Sequence, residues 1–229
     1  MKRGEGEGIT ATQAGSREVR DGLRKRLFAW SLAHADGAHQ RAYGDHLRQL
    51  MGGIEGRAGQ PPVVVEIGAG AGPTARYLPA GARWIAIEPN VHFESRLEEA
   101  AEARGLDLEW VGAVAEALPV EDGAADAVVS TLVLCSVDDV RQSLAEIRRV
   151  LRPGGRFVFV EHVAADPGTL LRGVQRALRQ PWGWIADGCR PDQDTEQSIR
   201  EAGFSDVQVQ RVRVPAGIVA PHIVGVATA

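Results

Sequence analysis

The chain has 229 residues, and its 26 lysines and arginines against 30 aspartates and glutamates give a formal net charge of −4. A mildly acidic chain with 5% aromatic residues is not typical of nucleic-acid-binding proteins, which present a basic face and aromatic stacking residues. No stretch reaches the roughly 18–20 apolar residues of a membrane span, and the N-terminus lacks the apolar stretch of a signal peptide. We therefore expect a cytoplasmic protein, without an integral membrane segment, that forms one α/β domain with an N-terminal appendage.

The N-terminal region differs in composition from the rest of the chain. Its first 15 residues carry almost no large apolar side chain and are expected to form a loose tail. Apolar residues then recur at helical spacing over 16–33 and again over 38–51, which predicts two amphipathic helices. A stretch rich in Gly and Pro separates these helices from the first strongly apolar run. The predicted divisions are a flexible tail (1–15), a helical cap (16–61) and a main domain (62–229).

Strand-like apolar runs alternate with helical patterns through the main domain, which is typical of a Rossmann-like parallel sheet with helices on both faces. The last two runs are separated only by 215–221, which is too short for a crossover helix and predicts an antiparallel pair at one sheet edge. The predicted fold is therefore α/β, with a single seven-stranded, mostly parallel sheet and an antiparallel last strand. The predicted strands are 63–67, 83–88, 107–111, 127–134, 156–161, 207–214 and 222–227.

Gly68, Gly70 and Gly72 directly follow a buried strand and form the most informative segment. Glycines in such a turn let the backbone approach a ligand closely, and a helix is expected to begin just after them. The glycine spacing alone fits a tight turn without a ligand equally well. Glu88 favours the ligand, because it ends the next strand about 20 residues further on, where an acidic side chain accepts hydrogen bonds from ribose hydroxyls. The segment thus predicts a nucleotide-type cofactor site.

The same segment argues against a dinucleotide. The dinucleotide pattern GxGxxG has its third glycine where this chain has Pro73, so close helix packing by that glycine is not expected. Glu66, two residues before Gly68, would lie poorly beside a pyrophosphate and suits a cationic ligand better. A nicotinamide-dependent oxidoreductase is therefore disfavoured.

Four motifs stand together over residues 63–161: the E-x-G-x-G-x-G loop, Glu88, 115–119 and 151–155. Together they resemble the class I S-adenosylmethionine-dependent methyltransferases. The segments 131–137, 161–165, 187–189 and 221–223 carry a narrower resemblance, to the alkyl thiol methyltransferases of animals and their bacterial relatives, which extends almost to the C-terminus. The animal group starts with an apolar membrane anchor, whereas this chain starts with a charged tail, so membrane association is not carried over.

The resemblance implies S-adenosylmethionine as the cofactor and assigns contacts to it. Glu88 would bind the ribose diol, and Glu66 would lie near the amino group of the methionine part or a bridging water. Ala115 and Glu116 would flank the adenine, although many members of the class carry an Asp where this chain has Val114. The residues assigned to the cofactor are Glu66, Gly68, Ala69, Gly70, Gly72, Glu88, Pro89, Ala115, Glu116, Thr131 and Leu132.

Methyl transfer from a sulfonium requires alignment, desolvation and a deprotonated nucleophile, so few catalytic residues are needed. His162 follows the fifth strand at the ligand-binding edge of the sheet and is one candidate base, although it fits a strand-end histidine bonded to the backbone equally well. Asp187 is the second catalytic candidate. It lies with Cys189 in 182–191, a segment that could roof the acceptor pocket.

Two further features leave alternatives open. Trp182 and Trp184, with Ile185, could wall that pocket, or the tryptophans could pack a helix over 169–179 against the sheet. His222 could face the pocket or cap the sheet edge.

The cysteines and histidines do not predict a metal site. Cys135 and Cys189 are too far apart for a CxxC pair and are expected to be free thiols, with Cys135 acting as a small apolar residue. His46 and His92 have no other ligand at a useful spacing, so no metal is predicted.

The leading hypothesis is a methyltransferase that acts on a small molecule, with a thiol as the favoured acceptor. The alternative acceptors are an oxygen or carbon of a quinone-like or natural-product ring and a lipid amine. The alternative outside the enzymes is a protein that binds the cofactor without catalysis. Only Val114, which replaces the Asp of many class members, suggests it.

Overall fold

The computed structural model describes residues 36–229, and the predicted tail and first predicted helix lie outside them. Five α-helices and seven strands make up the described chain. The helices are α1 (Asp36–Met51), α2 (Glu94–Arg104), α3 (Val140–Val150), α4 (Leu170–Ile185) and α5 (Thr195–Glu201). The strands are β1 (Val63–Ile67), β2 (Arg83–Ile87), β3 (Asp107–Val111), β4 (Ala125–Thr131), β5 (Leu151–His162), β6 (Asp206–Arg213) and β7 (Pro221–Thr228).

The strands form one sheet in the order β3-β2-β1-β4-β5-β7-β6. All pairings among β1 to β5 are parallel, whereas β7 runs antiparallel to both β5 and β6. The predicted fold class is confirmed, including the antiparallel pair at one edge. The strand order reverses between β1 and β4, and this switch point is where open α/β sheets bind ligands.

Apolar side chains cover both faces of the sheet, as the near-continuous apolar strands predicted. Because strand residues alternate between faces, Val64 belongs to the cluster that includes Leu47 of α1 and Leu97 of α2. Its neighbour Val65 belongs to the opposite cluster, together with Ile147 of α3. The sheet is therefore sandwiched between α1 and α2 on one side and α3 on the other.

The strand predictions need one correction near the ligand-binding edge. The fourth strand was predicted to reach residue 134, but β4 ends at Thr131 because Leu132 turns into the left-handed region with φ 60. The Leu132 N–H then donates to Val160 O at 2.8 Å, which ends regular pairing and starts a loop. The fifth strand is longer than predicted and starts at Leu151.

The helix predictions need two corrections. The glycine loop is followed by a short 3₁₀ turn, Ala75–Tyr77, and not by a helix. The helix predicted over 169–179 continues through Pro181 to Ile185 as α4. Proline removes only one helical hydrogen bond, and the residue whose carbonyl loses this bond, Ala177, is exposed to water.

The outer surface of α4 is partly apolar. Trp184 and Ile185 are 73% and 70% exposed, so Trp184 does not pack the helix against the sheet, which was one of the two alternatives for this residue. In the described part of the chain, no helix has both the length and the apolar character needed to cross a membrane.

Gly225 in the middle of β7 offers a direct test of this packing. A Cβ atom there would lie 2.1 Å from Gln208 O and 2.7 Å from the Phe159 ring, so Gly225→Ala must displace backbone in the sheet. We expect a loss of about 1–3 kcal/mol in the free energy of unfolding, measured by urea denaturation. Gly173→Ala is the control, because no atom lies within 4 Å of its Cβ and alanine favours a helix. Equal stability of both variants would contradict the packing described here.

Candidate active site

The candidate site lies at the carboxyl edge of the parallel strands. The glycine loop follows β1, the loop containing Cys135 follows β4, and His162 ends β5. Parallel pairing in the order β1-β4-β5 brings these three segments to one edge. The segment between α4 and α5, which carries Cys189, adds a fourth part to this edge.

The glycine loop is held close to its neighbours. Gly68, Gly70 and Gly72 have φ values of 58, 53 and 72, a region that glycine enters without strain. The Gly68 N–H donates to Ile87 O at 2.7 Å, and a Cβ at Gly68 would lie 2.5 Å from Val133. The backbone thus passes where a side chain would not fit.

Gly72 corrects one expectation from the sequence. A Cβ there would lie 3.0 Å from Ala100 and 3.2 Å from Trp84. Close packing by the third glycine of the loop therefore does occur. It brings the loop against α2 and β2, and not against a helix that follows the loop.

Glu88 secures the loop from the neighbouring strand. Its carboxylate accepts the Gly70 N–H and the Asn90 N–H, both at 2.9 Å, and the residue is buried. The carboxylate that was predicted to bind a ribose diol therefore lies against the glycine loop, next to Pro89. A glycine cradle beside an acidic group at a strand end fits a nucleoside cofactor.

Glu66 lies beneath the loop, and each oxygen of its carboxylate accepts a hydrogen bond from another side chain. Its carboxylate accepts the Thr74 hydroxyl and, at 2.9 Å, the Trp84 indole N–H. Burial raises the pKa of Glu66 to about 7, although these two hydrogen bonds act in the opposite direction. Glu66 thus ties the loop to β2, and its contact with the cofactor's amino group stays a prediction.

The remaining residues assigned to the cofactor fall into two groups. Ala115 is buried, whereas the Glu116 carboxylate accepts the Asp138 N–H at 2.6 Å just before α3. Thr131 and Leu132 lie at the end of β4, beside the glycine loop. The Thr131 hydroxyl is buried and has no hydrogen-bond partner among residues 36–229.

Cys135, His162 and Cys189 form a buried cluster at this edge, which we call the Cys-His-Cys cluster. Their ligand atoms all lie within 4.8 Å of one another, and His162 Nε2 is 3.0 Å from Cys189 Sγ. The Trp182 indole N–H also donates to Cys189 Sγ, at 3.2 Å. Trp182 therefore lies at the site, and its role as a pocket wall stays a prediction. Both cysteines are free, as predicted.

The pKa values of the two thiols in the cluster shift in opposite directions. The hydrogen bond from the Cys135 thiol, with His162 and Trp182, lowers the pKa of the Cys189 thiol. The same contact and burial raise the pKa of Cys135. Cys189 is therefore the sulfur that ionises first, and Cys135 does not act as the simple apolar residue that the sequence predicted.

The loops that carry the cluster contain two residues with strained backbone, and one arginine joins these loops by hydrogen bonds. Leu132 and Asp187 are the described non-glycine residues with positive φ, at 60 and 48, and each lies three or fewer residues from a cysteine of the cluster. The Arg190 N–H donates to Cys135 O at 2.9 Å, and its guanidinium donates to Val137 O. Backbone strain of this kind persists only where surrounding contacts fix it.

His222 borders the cluster without joining it. It pairs with His162 across β5 and β7, with the two ring centroids 6.1 Å apart, and its other side faces Tyr43 of α1. Burial lowers the pKa of His222 to about 4, so its ring is neutral near pH 7. The helix α1 thus packs beside the candidate acceptor site.

Sequence reasoning found His162 but missed what surrounds it. Asp187, the other catalytic candidate, lies two residues before Cys189, and it is Cys189 that contacts His162. The sequence did contain one clue to this contact. Cys135 and His162 each follow a run predicted as a parallel strand, and the carboxyl ends of such strands meet at the ligand-binding edge. Their separation in sequence conceals this proximity.

The comparisons agree with the geometry. Residues 65–159 match the methyltransferase domain family. The chain is 36% identical to the human thiol S-methyltransferase TMT1A and 38% identical to the human TMT1B, in each case over 89% of this chain and 86% of the relative. A solved S-adenosylmethionine-dependent methyltransferase of Thermotoga maritima has a TM-score of 0.61 at 22% identity and covers 90% of this chain and 98% of its own.

The glycine loop, Glu88 and the sheet order define a class I methyltransferase fold with a nucleoside-type cofactor site. The chain belongs to the S-adenosylmethionine-dependent methyltransferase family. It is an enzyme of that class, and S-adenosylmethionine is its cofactor.

The close approach of the Gly68 backbone to Val133 predicts a specific defect in cofactor binding. Gly68→Ala adds a Cβ that must displace Val133, so we expect S-adenosylhomocysteine binding to weaken at least tenfold, measured by calorimetry. Gly81→Ala is the matched control, because it has a similar φ of 72 but no atom within 4 Å of its Cβ. Both substitutions carry the backbone strain, about 1–3 kcal/mol, but only the first crowds the loop. Unchanged binding in Gly68→Ala would exclude this loop as the cofactor cradle.

Glu66 predicts a pH dependence of stability. Its pKa is about 7 in the folded chain against 4.5 for the free group, so its neutral form stabilises the fold at low pH. That stability is lost as the pH rises through this interval, because the unfolded chain releases the proton more readily. Gln cannot ionise, so we expect Glu66→Gln to gain about 2 kcal/mol relative to the natural chain between pH 5 and 8. If the curves of unfolding free energy against pH are parallel for Glu66→Gln and the natural chain, the raised pKa of Glu66 is refuted.

Proposed function

We propose that the chain methylates the sulfur of a small thiol, and that the acceptor sulfur binds next to the Cys-His-Cys cluster. The cluster carries this proposal, because it places two sulfurs and an imidazole at the edge of the sheet where the cofactor loop ends. The names of the two human relatives support the same class of acceptor. The two free cysteines are consistent with a reducing compartment, so the proposal includes the cytoplasm.

The acceptor must become a thiolate for the reaction to proceed at neutral pH. A free thiol with a pKa of about 8.5 is only a few per cent ionised near pH 7. The His162–Cys189 pair is the proposed proton acceptor, because Nε2 and Sγ share a hydrogen bond and either atom can hold the proton. Asp187 is retained as a second catalytic candidate because its loop positions Cys189.

The protein's further task is alignment. S-adenosylmethionine supplies an electrophilic methyl group on a sulfonium. The acceptor sulfur bonds to that methyl carbon as the carbon's bond to the sulfonium sulfur breaks, which yields a methyl thioether and S-adenosylhomocysteine. Transfer requires the acceptor sulfur about 3–3.5 Å from the methyl carbon and in line with the breaking bond. The buried cluster also excludes water from this position.

The test is methyl transfer from isotope-labelled S-adenosylmethionine to matched thiols, phenols and amines, read by product mass. We expect labelled methyl thioethers only. His162→Asn should lower kcat by about 100-fold or more while S-adenosylhomocysteine binding stays unchanged. His46→Ala, which alters a histidine on α1 outside the cluster, is the control and should keep full activity.

Other outcomes point to other acceptors. A labelled aryl ether, a methylated ring carbon or a methylated amine, without any thioether, would overturn the thiol assignment and favour the quinone-like, natural-product or lipid acceptors. Tight cofactor binding without any product would favour a non-catalytic partner.

A further inference from the structure

The Cys-His-Cys cluster has the composition and spacing of a metal site. A tetrahedral Zn²⁺ with bonds of about 2.3 Å to sulfur and 2.0–2.1 Å to nitrogen separates its ligand atoms by about 3.6–3.8 Å. The ligand atoms of the cluster lie within 4.8 Å of one another, and the three residues are buried. The contact of 3.0 Å between His162 Nε2 and Cys189 Sγ needs to widen by only about half an ångström to admit the ion.

We propose that Cys135 Sγ, His162 Nε2 and Cys189 Sγ bind one thiophilic divalent cation of the Zn²⁺ class. Two thiolates and an imidazole select such ions over the oxygen-seeking Mg²⁺ and Ca²⁺. Two thiolates also balance the charge of a divalent ion, so the buried site would be neutral. Three protein ligands leave the fourth tetrahedral position open, the arrangement that catalytic zinc sites use.

The surroundings of the three residues support a metal. The Trp182 N–H donates to Cys189 Sγ, a contact that leaves other lone pairs of this sulfur for a metal. His162 Nδ1 has no hydrogen-bond partner among residues 36–229, so no protein contact there fixes the tautomer, and Nε2 can offer its lone pair to a metal. The hydrogen bond from Arg190 N–H to Cys135 O ties together the two loops that carry the cysteines.

The metal would give the site a direct role in thiol methylation, and this part of the inference rests on the proposed function. A thiol bound at the fourth position would be held as a thiolate: its proton would leave to solvent as the thiol enters the site, and its sulfur would keep the lone pair that attacks the methyl carbon. His162 would then act as a ligand, and the ion would take over the task of holding the acceptor as a thiolate.

The test is metal binding by the reduced full-length chain. Zn²⁺ is titrated against a chromophoric chelator, and bound metal is counted by mass spectrometry. We expect one Zn²⁺ per chain. Cys135→Ser, His162→Asn and Cys189→Ser should each weaken binding more than about 100-fold, whereas Trp182→Phe should weaken it about tenfold as a supporting contact. Binding of S-adenosylhomocysteine by each variant confirms that it is folded, and His46→Ala should bind Zn²⁺ normally.

Cobalt provides an independent readout. The chain has two cysteines, so a thiolate-to-cobalt charge-transfer band must come from the cluster and must vanish in the double variant that lacks both. No bound Zn²⁺ and no such band would overturn the metal site, even if thiols are methylated. Stoichiometric Zn²⁺ binding without thiol methylation would keep the metal site and overturn the proposed function.

Discussion

The parallel pairing of β1, β4 and β5 is the constraint on which the site depends. Parallel strands end at the same edge, so the segments that follow them meet there whatever their separation in sequence. This arrangement brings the glycine loop, the turn at Leu132 and the side chain of His162 together. The loop between α4 and α5 then adds Cys189 to the same edge.

Buried acidic groups stiffen this edge from below. Glu66 binds Thr74 and Trp84, and Glu161 accepts hydrogen bonds from Ser130 and the Val133 N–H. Burial raises the pKa of both carboxyls to about 7. Burying these groups costs free energy, but their hydrogen bonds link the ends of adjacent strands and fix the loops that follow. The glycine loop and the proposed acceptor side therefore rest on a common polar layer.

The sequence predicted the fold well because its signals are local. The apolar run before Gly68 marks β1, and the short connection over 215–221 predicts the antiparallel pairing of β6 and β7. The errors also have local causes. β-branched and apolar residues continue past Thr131, although the chain turns at Leu132, and Pro181 gives a stop signal that α4 passes through.

The candidate site was less predictable because its central contacts are not local. His162 was identified from its position after a strand, but Cys135 and Cys189 are separated by 54 residues and show no ligand spacing. Only the strand order and the fold of the α4–α5 loop bring them together. Likewise, the sequence could place Glu66 beside the glycine loop but could not reveal that Thr74 and Trp84 occupy its carboxylate.

The central claim is that the cofactor and the Cys-His-Cys cluster serve one reaction at this edge. A crystal structure with bound S-adenosylhomocysteine tests it most directly, through the distance from the cofactor sulfur to Cys189 Sγ. In-line transfer to a sulfur held by the cluster predicts a separation of about 6–9 Å, with an open path between the two sulfurs. A separation well beyond this, or a strand or side chain that blocks the path, would contradict the account.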